Sequence, residues 1–152
     1  MSLKKVNVLG YANADDQFIV KANNLQVRIS KNNSNPELEG PSPLEYVLAG
    51  YAGCINAVGK LVAKEQYLDL KSLQVEISAT LSLDQYQGKE SNERAGFQVI
   101  DVVVKPTSEA SLEELKKWIS AVKKRCPIHD NLINPTPITL SLVPQYEALE
   151  VL

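Results

Sequence analysis

The sequence predicts an α+β domain, and three observations carry that reading. Short alternating apolar runs fill the first thirty residues and recur at 73–83 and 97–105. Two longer segments instead repeat their apolar residues at helical spacing, and no internal repeat, linker or low-complexity tract divides the chain. At 152 residues it has the size of one ordinary domain, so residues 1–152 are read as a single domain around one core.

Taken in order, Val6, Val8 and Tyr11, then FIVKA at 18–22 and LQVRIS at 25–30, predict a three-stranded antiparallel meander with polar turns at 13–16 and at Asn23-Asn24. Adjacent asparagines suit a two-residue hairpin because Asn tolerates positive φ. Ser30 to Pro43 is rich in Asn, Ser, Pro and Gly and reads as a loop. From Leu44 to Gln66 a helix is predicted, with Leu44, Val47, Leu48, Tyr51, Ile55, Val58 and Val62 in one stripe. Ala49, Gly50, Ala52, Gly53, Ala57 and Gly59 cover most of its remaining circumference, so it is expected to be buried on every side. Each glycine costs about 1 kcal/mol relative to alanine inside a helix, which is expected to mark close backbone approach by neighbours.

LQVEISATLSL at 73–83 and FQVIDVVVK at 97–105 predict a long antiparallel hairpin with an exposed connection. Ser111 and Glu114 form a capping box for a second helix, in which Leu112, Leu115, Ile119, Val122 and Cys126 share a face and which stops at Pro127. Lys123, Lys124 and Arg125 complement the dipole of its last turn. ITLSLV at 138–143 alternates again and predicts a closing strand.

Composition excludes several functions. Sixteen basic and eighteen acidic residues give a net charge of -2 with no field of one sign, so no nucleic-acid partner is expected. The most apolar window, Val47 to Val58, falls short of the roughly 20 residues a bilayer requires, and no membrane partner is expected. MSLKKVNVLG lacks the apolar region of a secretory signal, which makes a cytoplasmic location the expectation. Two cysteines 72 positions apart suit neither a secreted disulfide scaffold nor a zinc knuckle, leaving packing or redox chemistry.

Cys54 lies mid-helix, and burial alone would raise its pKa and leave it inert. Reactivity needs a cation, and no Lys, Arg or His lies within a helical turn of it. Cys126 ends the other helix on its apolar face, so both thiols point toward whatever the two helices share. With Cα atoms within about 7 Å they could bridge, one as nucleophile and the other as resolving thiol. Cys126-Pro-Ile-His129 has the spacing of half a zinc site, but one other Cys and no second His leave no closed metal site expected. There is no Gly-rich phosphate loop and no nucleophile elbow, and no cofactor is expected.

GPSPLEYVLAGYAGC at 40–54 and KKRCPIH at 123–129 resemble the two signature blocks of the OsmC/Ohr family of thiol peroxidases, and the order of elements is similar over nearly the whole chain. The resemblance implies an OsmC-like fold, antiparallel sheets packed around two long central helices in an intertwined homodimer with active sites at the interface. It implies Cys54 as the peroxidatic and Cys126 as the resolving cysteine of an oxidative-stress peroxidase, with an organic hydroperoxide as substrate and a small dithiol such as dihydrolipoamide as reductant. In the family an Arg, held by a Glu ten positions before the first Cys, stabilises the thiolate. Here Leu44 has that position and Glu45 follows it, a step that turns the side chain about 100° around the helix. Arg28 is the first candidate for the cation, and Glu45 and Arg125 are further thiolate-activating candidates. The alternative is a non-catalytic small-molecule-binding or stress-response protein on the same fold, its thiols serving only to pack.

Overall fold

Apolar alternation and two amphipathic helices must cover one another, and the computed structural model, which describes residues 1–12, 18–29 and 40–144, shows how they do so. The expected polar turn at 13–16 and most of the expected loop from Ser30 lie outside the described residues. β1 (Leu9–Ala12), β2 (Phe18–Ala22) and β3 (Leu25–Ile29) form an antiparallel sheet in that order. Ala22 pairs with Leu25 across the two asparagines, and Asn23 takes the positive φ of 52° that the tight turn demands.

α1 (Pro43–Glu65) starts at Ser42, which caps it with a full capping box: the Ser42 hydroxyl accepts from the Glu45 amide, and the Glu45 carboxylate accepts from the Ser42 amide. Pro43 fills the first turn, where its missing N–H costs nothing. The Tyr46 hydroxyl donates to the Arg28 carbonyl over 2.8 Å, tying β3 to the start of this helix. At its far end Tyr67 adopts φ 53°, with the Leu68 amide donating to the Ala63 carbonyl and the Tyr67 amide to the Lys64 carbonyl.

β4 (Leu70–Leu81) and β5 (Phe97–Ser108) form a twelve-residue antiparallel ladder each way. Val75 faces Val104, Ile77 faces Val102 and Ala79 faces Ile100, and these side chains turn toward the helices while Gln74, Glu76 and Ser78 face out. α2 (Leu112–Arg125) begins at the expected capping box of Ser111 and Glu114. After Cys126 the chain turns into a short α3 (Pro127–Ile133), which the sequence reading replaced with a stop at Pro127. Pro127 does end α2, since it cannot donate into it, but it also suits the first position of a new helix.

The core is Tyr51, Ile55, Val62 and Ala63 of α1 against Trp118, Val122 and Cys126 at the end of α2, with the inner face of the β4–β5 ladder beneath. Of the face expected for α2, Val122 and Cys126 are buried but Leu112 is 69% exposed, and Trp118, which that face did not include, is 1% exposed. The expectation of a helix buried all round is met on one face only. Gly59 lies against Trp118, as predicted of a glycine that admits a neighbour, whereas Gly50 and Gly53 are exposed with open space at their missing side chains. Nor is 138–143 a strand; Ile138, Leu140 and Leu142 are 86%, 91% and 88% exposed, because no strand edge among the described residues pairs with this segment. α1 also exceeds the window read from the sequence, with a mean hydropathy of 1.3 and 28% of that stretch buried, so its length and apolarity alone do not exclude a bilayer. Its buried face on α2 and β4 is the packing of a core helix.

A side chain added at Gly59 would meet the Trp118 ring at 3.0 Å, and the helix backbone there cannot yield without breaking the indole's hydrogen bond to the Gly59 carbonyl. Gly59→Val should therefore destabilise the chain by about 2 kcal/mol in denaturant unfolding, although valine is the better helix former.

Candidate functional site

The contact of α1 with α2 sets the chemistry of the site. Trp118 donates its indole N–H to the Gly59 carbonyl at 2.8 Å, which holds the helices close where glycine leaves room. Some turns away along the same contact, the sulfurs of Cys54 and Cys126 lie 2.7 Å apart, both as free thiols.

Burial makes the two thiols unlike. Cys126 is 1% exposed and Cys54 is half-buried. Burial pushes the Cys126 thiol up, its hydrogen bond to Cys54 adds to that, and the His129 and Ile128 amides oppose it. Cys126 is thus the proton-bearing partner and donates its S–H to Cys54. It also caps α3, its sulfur accepting from the His129 amide at 3.5 Å.

The imidazole of the same His129 reaches back to α1. The Tyr51 hydroxyl lies 2.6 Å from His129 Nδ1, with the rings 5.9 Å apart. Tyr51 precedes Cys54 by three residues, which places both on one side of the helix. Burial chiefly, and then the charges that Cys126 and Cys54 can carry, push the Tyr51 hydroxyl up, so it keeps its proton. Tyr51, His129 and Cys126 border a cavity of about 300 Å³ whose other walls include Ile100, Val102 and Val104 of β5 and Ile119 of α2. Tyr51 and His129 also border a second cavity of about 300 Å³, toward Arg94, Phe97 and Leu132.

The structure thus brings Cys54 and Cys126 together and leaves the other three candidates elsewhere. Glu45 is occupied by the Ser42 cap. Arg125 turns away from its neighbour Cys126 and binds the Glu65 carboxylate with both guanidinium nitrogens. Arg28 lies in a shallow surface cavity with Gly40, Pro41 and Tyr46. Among the described residues no Arg or Lys hydrogen-bonds either sulfur. Sequence reasoning passed over Tyr51, counted only as a stripe residue, and Arg94. A Ser-x-x-Glu at 42–45 matching the one at 111–114 was the available sign of Glu45's capping role. The sequence points to His129 as half of a zinc site and as a cation close to Cys126, but its proximity to Tyr51 spans 78 residues.

The family model for OsmC-like proteins matches residues 31–141. A protein named hydroperoxide reductase from Mycoplasma pneumoniae is 25% identical over 129 residues, covering 85% of this chain and 87% of its own. The solved structure of an OsmC-like protein from Mycoplasma pneumoniae superposes with a TM-score of 0.74 at 24% identity, covering 87% of this chain and 89% of that one. An organic hydroperoxide resistance protein from Legionella pneumophila gives 0.62 at 15% identity, covering 87% and 91%. With two antiparallel sheets and three helices among the described residues and a family match over most of its length, the chain belongs to the OsmC-like family.

Proposed function

We propose that this protein is a thiol-dependent reductase of organic hydroperoxides. The observation that carries the reading is the 2.7 Å approach of two free thiols, one half-exposed and the other buried and lining an apolar cavity. The names of the two mycoplasma relatives, both hydroperoxide reductases, support the same reading. The Cys54 thiolate attacks one peroxide oxygen; an S–O bond forms as the O–O bond breaks, leaving a sulfenic acid and an alkoxide that takes a proton to become the alcohol. Cys126 then attacks the sulfenic sulfur, an S–S bond forms, and hydroxide departs with the thiol's proton as water. A small dithiol reduces the disulfide by exchange and is itself oxidised to a disulfide. Cys54 is the more exposed of the two thiols and accepts the Cys126 S–H, which supports Cys54 as the attacking thiol.

The working unit in this reading is a homodimer. Three unmet demands of the single chain support it: the exposed side of α1 around Gly50 and Gly53, the unpaired alternating segment at 138–143, and Leu44 and Val47 exposed at the start of α1. A second copy could cover α1, supply a strand edge and bring Arg28, Glu45 or Arg125 of one copy toward the thiols of the other. The second reading, a non-catalytic binder, is favoured by the apolar cavity and by the lack of a cation on either sulfur among the described residues.

Three outcomes test these statements. Stoichiometric alkyl hydroperoxide should convert the reduced protein to one intramolecular Cys54–Cys126 disulfide by mass spectrometry; two unmodified thiols would leave only the binder. Cys54→Ser should lose hydroperoxide consumption by at least about a hundredfold, while Cys126→Ser still consumes one equivalent and stops at the sulfenic acid. A Cβ at Gly50 would meet no described atom within 4 Å; Gly50→Leu should therefore leave the far-ultraviolet spectrum intact and shift the species seen by light scattering from dimer to monomer.

A further inference from the structure

Reduction of an alkyl hydroperoxide releases an alkoxide, a base far stronger than water can leave unprotonated, at a thiol pair whose inner member is 1% exposed. Neither thiol can supply the proton without cost to the reaction, since Cys54 must be ionised to attack and Cys126 must keep its proton until hydroxide leaves. A separate acid is needed.

One side-chain pair meets the requirement. Tyr51 is 6% exposed, keeps its proton, and borders the cavity that Cys126 also borders. A buried tyrosine hydroxyl is ordinarily satisfied by any carbonyl; here its partner is the chain's single histidine, at 2.6 Å. The His129 backbone is in turn fixed to the Cys126 sulfur. Hydroxyl and imidazole are therefore held in register with the thiols by one continuous set of contacts. The charged and titratable groups around the pair are Cys54 on α1, Lys123 and Cys126 on α2, and Arg94 from the β4–β5 connection, while β5 presents only uncharged side chains, Gln98 among them. No carboxylate borders either cavity among the described residues, so nothing there competes for the proton.

We propose that Tyr51 is the catalytic acid of the peroxide step, recharged by His129 as a positioning and relay residue. This rests on the hydroperoxide-reductase reading. As the O–O bond breaks, the Tyr51 O–H proton passes to the departing alkoxide oxygen, and the proton on His129 Nδ1 passes to the Tyr51 oxygen, so that tyrosine ends neutral and the imidazolium ends as imidazole. Disulfide formation consumes no further proton. When the dithiol later reduces the disulfide, Cys54 leaves as thiolate and the proton it does not take returns the imidazole to imidazolium, which closes the cycle.

An acid is needed only when the leaving group is a poor one, and that separates chemistry from packing. Reduced wild type, Tyr51→Phe and His129→Gln are mixed rapidly with tert-butyl hydroperoxide, which must expel an alkoxide, and with peracetic acid, which expels acetate, and thiol loss is followed. Both variants should slow with the alkyl hydroperoxide by about a hundredfold while the peracetic acid rate moves by less than about threefold. Equal slowing with both oxidants would make the pair merely structural and overturn the proposal, as would no slowing with either. A wild type that reacts with peracetic acid alone would also overturn it, since no acid would then be at work. A wild type inert to both oxidants would remove the reductase reading and the proposal with it, a result distinct from the others because it precedes any variant.

Discussion

One contact governs the rest of the structure: the indole of Trp118 seated on the backbone of Gly59. A tryptophan can be wholly buried only where its N–H finds an acceptor, and a helix carbonyl is accessible only where the residue carries no side chain. The hydrogen bond and the missing methyl therefore act together to set how closely α2 approaches α1. Because each helix is rigid over several turns, that spacing is transmitted along both, and the thiols meet where they do as a result. The site is a product of packing at a distance from it.

The fold was legible where periodicity was strong. The meander, the long hairpin and both long helices follow from alternation and helical spacing, and the Ser111 cap from its local pattern, because such signals need no knowledge of distant neighbours. Convergence of Cys54 and Cys126 was legible too, since both sit on apolar faces of their helices. Trp118 and Tyr51 were harder to weigh: each lies at a stripe position where any apolar residue would pack, and their polar atoms acquire meaning only from partners 59 and 78 positions away. The closing strand failed for a related reason. Alternation says that a segment could pair, whereas an edge to pair with has to come from somewhere else. α3 was missed because a proline ends one helix and opens the next with the same chemistry.

The glycines of α1 show how one residue type answers different demands. Gly59 is occupied by a neighbour within the chain, whereas Gly50 and Gly53 face open space. Each of the latter two weakens the helix with no return inside the single chain. The proposed homodimer would supply, from a second copy, the compensation for that cost across successive turns on the side opposite the core.

Cys126 occupies the one position shared by two helices, accepting the His129 amide on its sulfur at the start of α3 just after α2 has ended. A thiol lone pair is a weak cap, and a divalent sulfur bonded to a second sulfur is weaker still and points differently. In the proposed cycle, disulfide formation would therefore weaken the cap of a seven-residue helix that carries the exposed Leu132 and Ile133.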